Sequence, residues 1–288
     1  MKLKDISNKM VVCLWLGLFI FVVGCEKHED VTPSSQSSPS QVSTPLHTQP
    51  CLLTSLATAY GKYNYLYTGD KRLSEIQHVL SDPTTPYEQW KMGYTNGLLT
   101  TVSYYIQYSG SVTPVVYTFE YGPNNKPSKL TQSQGTYLLS TITYKYDTKD
   151  RLVMGEENLG GGVAFTFKYE YGVDNNVSKK YMATYSNALA LAAVHHTYDN
   201  RERFFAASPD LTLVEIYLFK YDPSVSNLIA STVYFDATAY SQTTFSPYLA
   251  QTFTYAQNGY ITSIINEASG QYNYSWLFTF YGATYSCK

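Results

Sequence analysis

Tyrosine recurs along this chain at a spacing that few folds can absorb. Taken as the last aromatic of an alternating run, it falls at Tyr67, Tyr94, Tyr121, Tyr146, Tyr171, Tyr198, Tyr221, Tyr255 and Tyr281, in steps of 27, 27, 25, 25, 27, 23, 34 and 26 residues. A period near 25 residues marks an array of supersecondary units, none of which can bury its apolar face alone. The fullest copy is Thr143-Tyr144-Lys145-Tyr146-Asp147-Thr148-Lys149-Asp150-Arg151-Leu152: an aromatic run, a polar turn, then a basic and an apolar residue.

Within each unit the aromatics stand two apart, as in Tyr63-x-Tyr65-x-Tyr67, Tyr117-x-Phe119-x-Tyr121, Phe165-x-Phe167-x-Tyr169-x-Tyr171 and Tyr217-x-Phe219-x-Tyr221. Period two places them on one face of a strand. Thr118, Glu120, Thr143, Lys145, Lys168 and Glu170 fall between them and suit water, the pattern of an antiparallel sheet with one packed and one wet face. Turn chemistry follows each run: Gly69-Asp70, Asn96-Gly97, Gly122-Pro123-Asn124-Asn125, Asp147 to Asp150 and Asp174-Asn175-Asn176. A second strand comes next, as in Arg151-Leu152-Val153-Met154 or Tyr260-Ile261-Thr262-Ser263-Ile264. The expected fold is all-β: tandem antiparallel β-hairpins, eight full units and a last half-unit, about 16–18 strands in all. A continuous exposed aromatic face is rare, so the sheet is expected to curl or spiral.

Asn187 to Val194 has helix-forming composition, but the 27-residue step from Tyr171 to Tyr198 leaves no room for an insertion and favours a strand. On that register His196 takes the place held elsewhere by an aromatic.

Tyr144-Lys145-Tyr146-Asp147 with Arg151-Leu152 resembles the hallmark of YD-repeat, or RHS-like, proteins, and Phe219-Lys220-Tyr221-Asp222 keeps half of it. Degenerate copies on a lipoprotein signal are also similar to those of a group of bacterial surface lipoproteins of unassigned function. The resemblance spans about residues 60–285 and implies hairpins that spiral. The large RHS proteins wrap a C-terminal toxin; the chain ends six residues after Gly282, so that role is not expected here.

Lys2, Lys4 and Lys9 precede an apolar stretch of 14 residues, Met10 to Val23. A helix that spans a bilayer needs about 20, so this stretch has the proportions of a secretory signal. It ends in Val22-Val23-Gly24-Cys25, which resembles the lipobox of bacterial lipoproteins and implies cleavage after residue 24 and acylation of Cys25. Residues 26–50 contain six Ser, four Pro, three Thr and three Gln, a composition that cannot bury enough surface to fold. Three domains are expected: a signal peptide at 1–24, the lipidated Cys25 with a tether to 50, and one hairpin-repeat domain at 51–288. Glu26, Glu29 and Asp30 look like the acidic export tags of surface-displayed lipoproteins, so the expected location is the cell envelope, as an outer-membrane lipoprotein with surface display.

Cys51 ends the tether and Cys287 lies one residue from the C-terminus. In an oxidising compartment the two could pair and clip the ends together, or stay as separate thiols. Net charge is −2 with no basic cluster, which leaves no electrostatic footprint for nucleic acid.

Chemistry-bearing motifs are scarce. His195 and His196 are adjacent and in a strand point to opposite faces, so no metal site is expected. Gly160-Gly161-Gly162 is a hairpin loop, not a cofactor cradle, and no cofactor is expected. Two function classes follow. One is a structural or protein-interaction platform, held to the membrane by its lipid and facing an envelope protein. The other is a carbohydrate-binding surface lipoprotein that stacks a polysaccharide on Tyr272, Tyr274 and Trp276. A glycoside hydrolase built on carboxylates from distant hairpins is a remote third.

Overall fold

The computed structural model describes residues 51–58, 60–80, 86–106, 113–160, 162–184, 188–202, 208–219, 223–224, 226–233, 248–256, 260–269 and 280–287. Sixteen strands follow one another in sequence. The first eight are β1 (Cys51–Thr58), β2 (Gly61–Tyr67), β3 (Leu73–Val79), β4 (Glu88–Thr95), β5 (Leu98–Ile106), β6 (Val115–Tyr121), β7 (Pro127–Gln134) and β8 (Tyr137–Tyr146). Then come β9 (Leu152–Asn158), β10 (Val163–Tyr171), β11 (Val177–Thr184), β12 (Ala190–Glu202), β13 (Ser226–Val233), β14 (Tyr248–Tyr255), β15 (Ile261–Ser269) and β16 (Phe280–Cys287). Each pairs antiparallel with its neighbours. The curl goes all the way round, because β16 also pairs with β1 and closes the sheet.

One unit repeats with little change. In β2–β3, β6–β7, β8–β9, β10–β11 and β14–β15 the last tyrosine faces the first residue of the next strand: Tyr67 faces Leu73, Tyr121 Pro127, Tyr146 Leu152, Tyr171 Val177 and Tyr255 Ile261. The register slips by one residue just before each of these tyrosines, a bulge that sharpens the local twist. Five turns are closed by the same backbone bond, Thr68 N to Arg72 O, Gly122 N to Lys126 O, Asp147 N to Arg151 O, Gly172 N to Asn176 O and Ala256 N to Tyr260 O. In four of them the fourth turn residue is left-handed: Lys71, Asn125, Asp150 and Asn175, with φ from 54° to 64°. Asn and Asp tolerate that region, which explains their recurrence there.

Alternation sorts the side chains as period two requires. Leu56, Tyr65, Ile76, Trp90, Val102, Phe119, Ile142, Tyr144, Phe167 and Tyr169 are buried in one core. The outer face carries cross-strand ion pairs, Lys129 to Glu120 at 2.7 Å and Lys145 to Glu156 at 3.1 Å. At 16 strands a barrel is too wide for wall side chains alone to fill.

A short helix packs inside it. It runs from Pro209–Leu213 (α1) into a π-turn at Val214–Leu218, and Leu211, Val214 and Tyr217 belong to the same buried core as the wall. Residues 203–225 replace the turn between β12 and β13. Tyr217-x-Phe219, expected as a strand, is therefore part of this helical insertion, and Tyr221 lies outside the described residues. The hairpin expected there is absent from the repeat, which leaves seven hairpins and the β16–β1 pair.

Two further expectations change. Tyr281 was expected to end the last half-unit, but Tyr285 faces Leu53 in the place that Tyr146 holds opposite Leu152. Ala190 to Val194 are strand, as expected, but β12 slips register opposite Lys180 and Tyr181 and again between His195 and Tyr198. Simple parity therefore fails there. His195 stands against the Tyr198 ring, with centroids 6.1 Å apart, and the His196 side chain lies outside the described ones.

Candidate functional site

The repeated tyrosines form a collar at the end of the barrel that carries the five-residue turns. Each hydroxyl donates to a carbonyl at the start of the second strand of the preceding hairpin, its first residue in four cases and its second in the other: Tyr94 to Leu73, Tyr121 to Leu99, Tyr146 to Pro127, Tyr171 to Leu152 and Tyr198 to Val177, each at 2.6 Å. Tyr67 to Leu53 and Tyr285 to Ile261, both at 2.9 Å, continue the ring across the closure. The basic residue that ends a turn covers the next collar ring: Arg72 lies 4.2 Å from the Tyr94 centroid and Arg151 4.4 Å from that of Tyr171. Arg151 is in turn held by Asp147 at 2.7 Å. The Tyr-Asp and Arg-Leu of the fullest copy thus have one local purpose, to fix a turn and cap a neighbouring ring.

The plug is fastened to this collar at three places. Ser208 caps the helix by accepting from Leu211 N, and Pro209 starts it. Asp210 then receives Arg72 through two bonds of 2.8 Å, and Leu73 N at 3.3 Å. The Tyr217 hydroxyl meets that of Tyr146 at 2.7 Å, and its ring stands edge-on to Tyr144 with centroids 4.9 Å apart. Beyond the helix, Ser224 accepts from Val177 N at 3.1 Å and meets the Tyr198 hydroxyl at 3.0 Å. Burial, with the Asp210 charge as a lesser contributor, pushes the Tyr121 phenol up to about 12.

Farther along the lumen the inner wall turns polar. His78 Nδ1 lies 3.0 Å from one Glu88 oxygen, and Tyr104 donates to the other at 2.6 Å. The Tyr63 ring lies flat on His78 with centroids 4.3 Å apart, and Trp90 stacks on Tyr104 at 5.0 Å. Gln132 and Ser140 are joined at 3.2 Å on the adjoining strands, and Glu157 is buried on β9. Burial first, then the Glu88 charge, lifts the Tyr63 phenol to about 12; burial and Glu157 do the same for Tyr117. These phenols stay protonated at neutral pH. The Tyr63 ring face packs the wall through His78.

The two expected cysteines meet. Cys51 and Cys287 form a disulfide with their Cα atoms 4.2 Å apart, opposite one another at the collar end. Cys25, Tyr272, Tyr274 and Trp276 lie outside the described residues, so the expected lipidation and glycan-stacking positions have no geometry to report. Among the described residues no group of three or more His, Cys, Asp or Glu is placed to hold a metal. The residues that sequence reasoning missed are the plug and its latch. Ser208-Pro209-Asp210, a cap, a first-turn proline and a first-turn acid, was the signal that could have found them.

No protein-family model matches this chain, and no curated protein does. Among solved structures, a porin-like protein from Bacteroides uniformis is similar over 85% of this chain and 100% of its own, at 14% identity and a TM-score of 0.52. That likeness is one of fold. TcdB2-TccC3 is similar over 72% of this chain and 9% of its own, at 13% identity and a TM-score of 0.33. The Tc holotoxin pore of Photorhabdus luminescens is similar over 73% and 9%, at 13% identity and a TM-score of 0.32.

A barrel that spans a membrane alternates apolar outward and polar inward. This one is reversed, with Leu, Phe and Tyr packed on a helix inside and Lys–Glu pairs outside. Along β6 to β9 the outer face thus suits water.

Proposed function

We propose that this chain is a non-catalytic envelope lipoprotein, anchored through Cys25 in the outer membrane, whose closed barrel is a structural or protein-interaction platform. The observation that carries this reading is the reversed polarity of the wall around a filled lumen. Such a barrel folds as a rigid body in water and offers its rims and outer face, not a channel. The signal-like residues 1–24, the Gly24-Cys25 junction and the Ser/Pro-rich segment to residue 50 support a tethered body, and the fold likeness to a porin-like protein supports an envelope setting.

The test has two parts. Radiolabelled palmitate should enter the protein and be lost in Cys25→Ser, and the purified protein should add no ionic conductance to a planar bilayer. Steady conductance would replace the platform with a pore, and label retained in the variant would remove the anchor. Affinity electrophoresis through polysaccharide gels separates the other class, because retardation by one polysaccharide would make glycan capture the better account.

A further inference from the structure

The two rims of the barrel differ in kind. The collar rim carries Asp70, Lys71, Arg72, Lys126, Asp147, Lys149, Asp150, Arg151 and Asp174 in its turns. At the opposite rim lie the connections from β1 to β2, β3 to β4, β5 to β6, β7 to β8, β9 to β10 and β11 to β12. Their described residues include no Asp, Glu, Lys or Arg; Asp82, in the β3–β4 connection, lies outside the described residues. Large apolar side chains stand exposed there: Tyr60 at 55%, Leu80 at 43%, Tyr137 at 77%, Leu138 at 61%, Leu159 at 50% and Leu189 at 41%. A water-soluble body rarely gathers so many at one end.

We propose that this apolar rim docks onto a lipid bilayer, inserting these exposed side chains into the interfacial layer. Two observations select that occupant. The tips come from five different connections around the ring, so only an extended surface across the barrel axis can meet them together. Most are Leu, which has no polar handle for a sugar or a hydrogen-bonded peptide, whereas Tyr60 and Tyr137 suit the water–hydrocarbon boundary, where such rings concentrate. Insertion is shallow, because Lys62 stands exposed one residue into β2, directly behind the β1–β2 connection. This goes beyond the platform reading, because it gives the barrel a second membrane contact at the end away from Cys51.

The experiment uses the mature chain from residue 25, produced without acyl groups, and sedimentation with phosphatidylcholine–phosphatidylethanolamine vesicles, with and without an anionic lipid. Saturable partition is expected in both vesicle types, unchanged by salt. Leu138→Asp and Leu159→Asp should each weaken it about tenfold, since a charge at the boundary is costly to bury. Val173→Asp, at a fully exposed position on the collar rim, should change nothing. Circular dichroism melts should coincide for all of them, since every substituted side chain is exposed. Absence of partition overturns the proposal. So does a loss as large in Val173→Asp, or a dimer in sedimentation equilibrium that Leu138→Asp dissolves while the vesicles bind nothing, which would assign the rim to a second copy of this chain.

Discussion

The hairpin β8–β9 and the pair β16–β1 do the same work by different means. In the first, Tyr146 faces Leu152 beside a bulge, and its hydroxyl reaches Pro127 O at 2.6 Å. In the second, Tyr285 faces Leu53, again beside a register slip, and its hydroxyl reaches Ile261 O at 2.9 Å. A five-residue turn joins β8 to β9. No turn joins β16 to β1; the bond between Cys51 and Cys287 stands in its place, two positions beyond the pair. The hairpin β12–β13 makes the same point from the other side, because its turn has grown into the plug. The repeat is therefore defined by tyrosine, bulge and carbonyl, and the connection is exchangeable.

If that is right, an insult to the tyrosines should strike regular and altered hairpins alike, whereas one to the connections should single out the altered ones. Alkali supplies the first and the largest effect. A phenol in the unfolded chain ionises near pH 10, and burial raises Tyr63, Tyr117 and Tyr121 to about 12. A raised folded pKa stabilises fully below the unfolded value and is lost as the pH climbs through the folded one. The barrel should therefore unfold in one step between about pH 10 and 12, with absorbance at the tyrosinate band and far-ultraviolet circular dichroism changing together. A tyrosinate signal that rises near pH 10 while the sheet persists would mean that these rings are not in the core.

The disulfide comes next. It closes a loop between residues 236 apart, so Cys51→Ser should lower stability by about 3–5 kcal/mol. Hydrogen exchange should show the loss first in β1 and β16. A uniform loss would mean that the seam is no weaker than the other hairpins. Asp210→Ala tests the other altered connection. The carboxylate is nearly buried, with its side chain 7% exposed, and Arg72 keeps 30%. Removing it strands a half-screened guanidinium, at a cost of about 2 kcal/mol after discounting for solvent. Arg72→Met in the same background should recover part of that loss; no recovery would show that Asp210 acts through Leu73 N and not through the ion pair.

The strands and turns were legible because their signals are local. Tyr-x-Tyr followed by Asp or Asn at the left-handed position needs no partner to be recognised. The plug was not, because Tyr217-x-Phe219 satisfies strand parity by coincidence, and the helix start at Ser208-Pro209-Asp210 is one short signal inside a long periodic array. The register slips in β12 also escaped, since a slip depends on the pairing strand and leaves no mark in its own sequence. Tyr285 was passed over for Tyr281 for a related reason: the closing partner, Leu53, lies at the far end of the chain. Of the lumen, only the residue types could be listed in advance. That His78, Glu88 and Tyr104 meet is a consequence of three separate registers.

The smallest effect bears on what a single collar bond contributes. Tyr171→Phe removes one hydroxyl and leaves Leu152 O without its side-chain donor, while the ring and the Arg151 guanidinium over it stay in place. The carbonyl opens a strand at the turn end, where water can reach it in part, so the cost should be near that of an ordinary hydrogen bond, about 1 kcal/mol. Tyr146→Phe should cost more, by about another 1 kcal/mol, because its hydroxyl also meets that of Tyr217. The difference between the two variants, read from chemical denaturation, isolates the plug's share of the collar. Equal losses would mean that the helix rests on packing alone. A larger loss for Tyr171→Phe would mean that the collar is tightest where the hairpins are regular, and that the plug relaxes it.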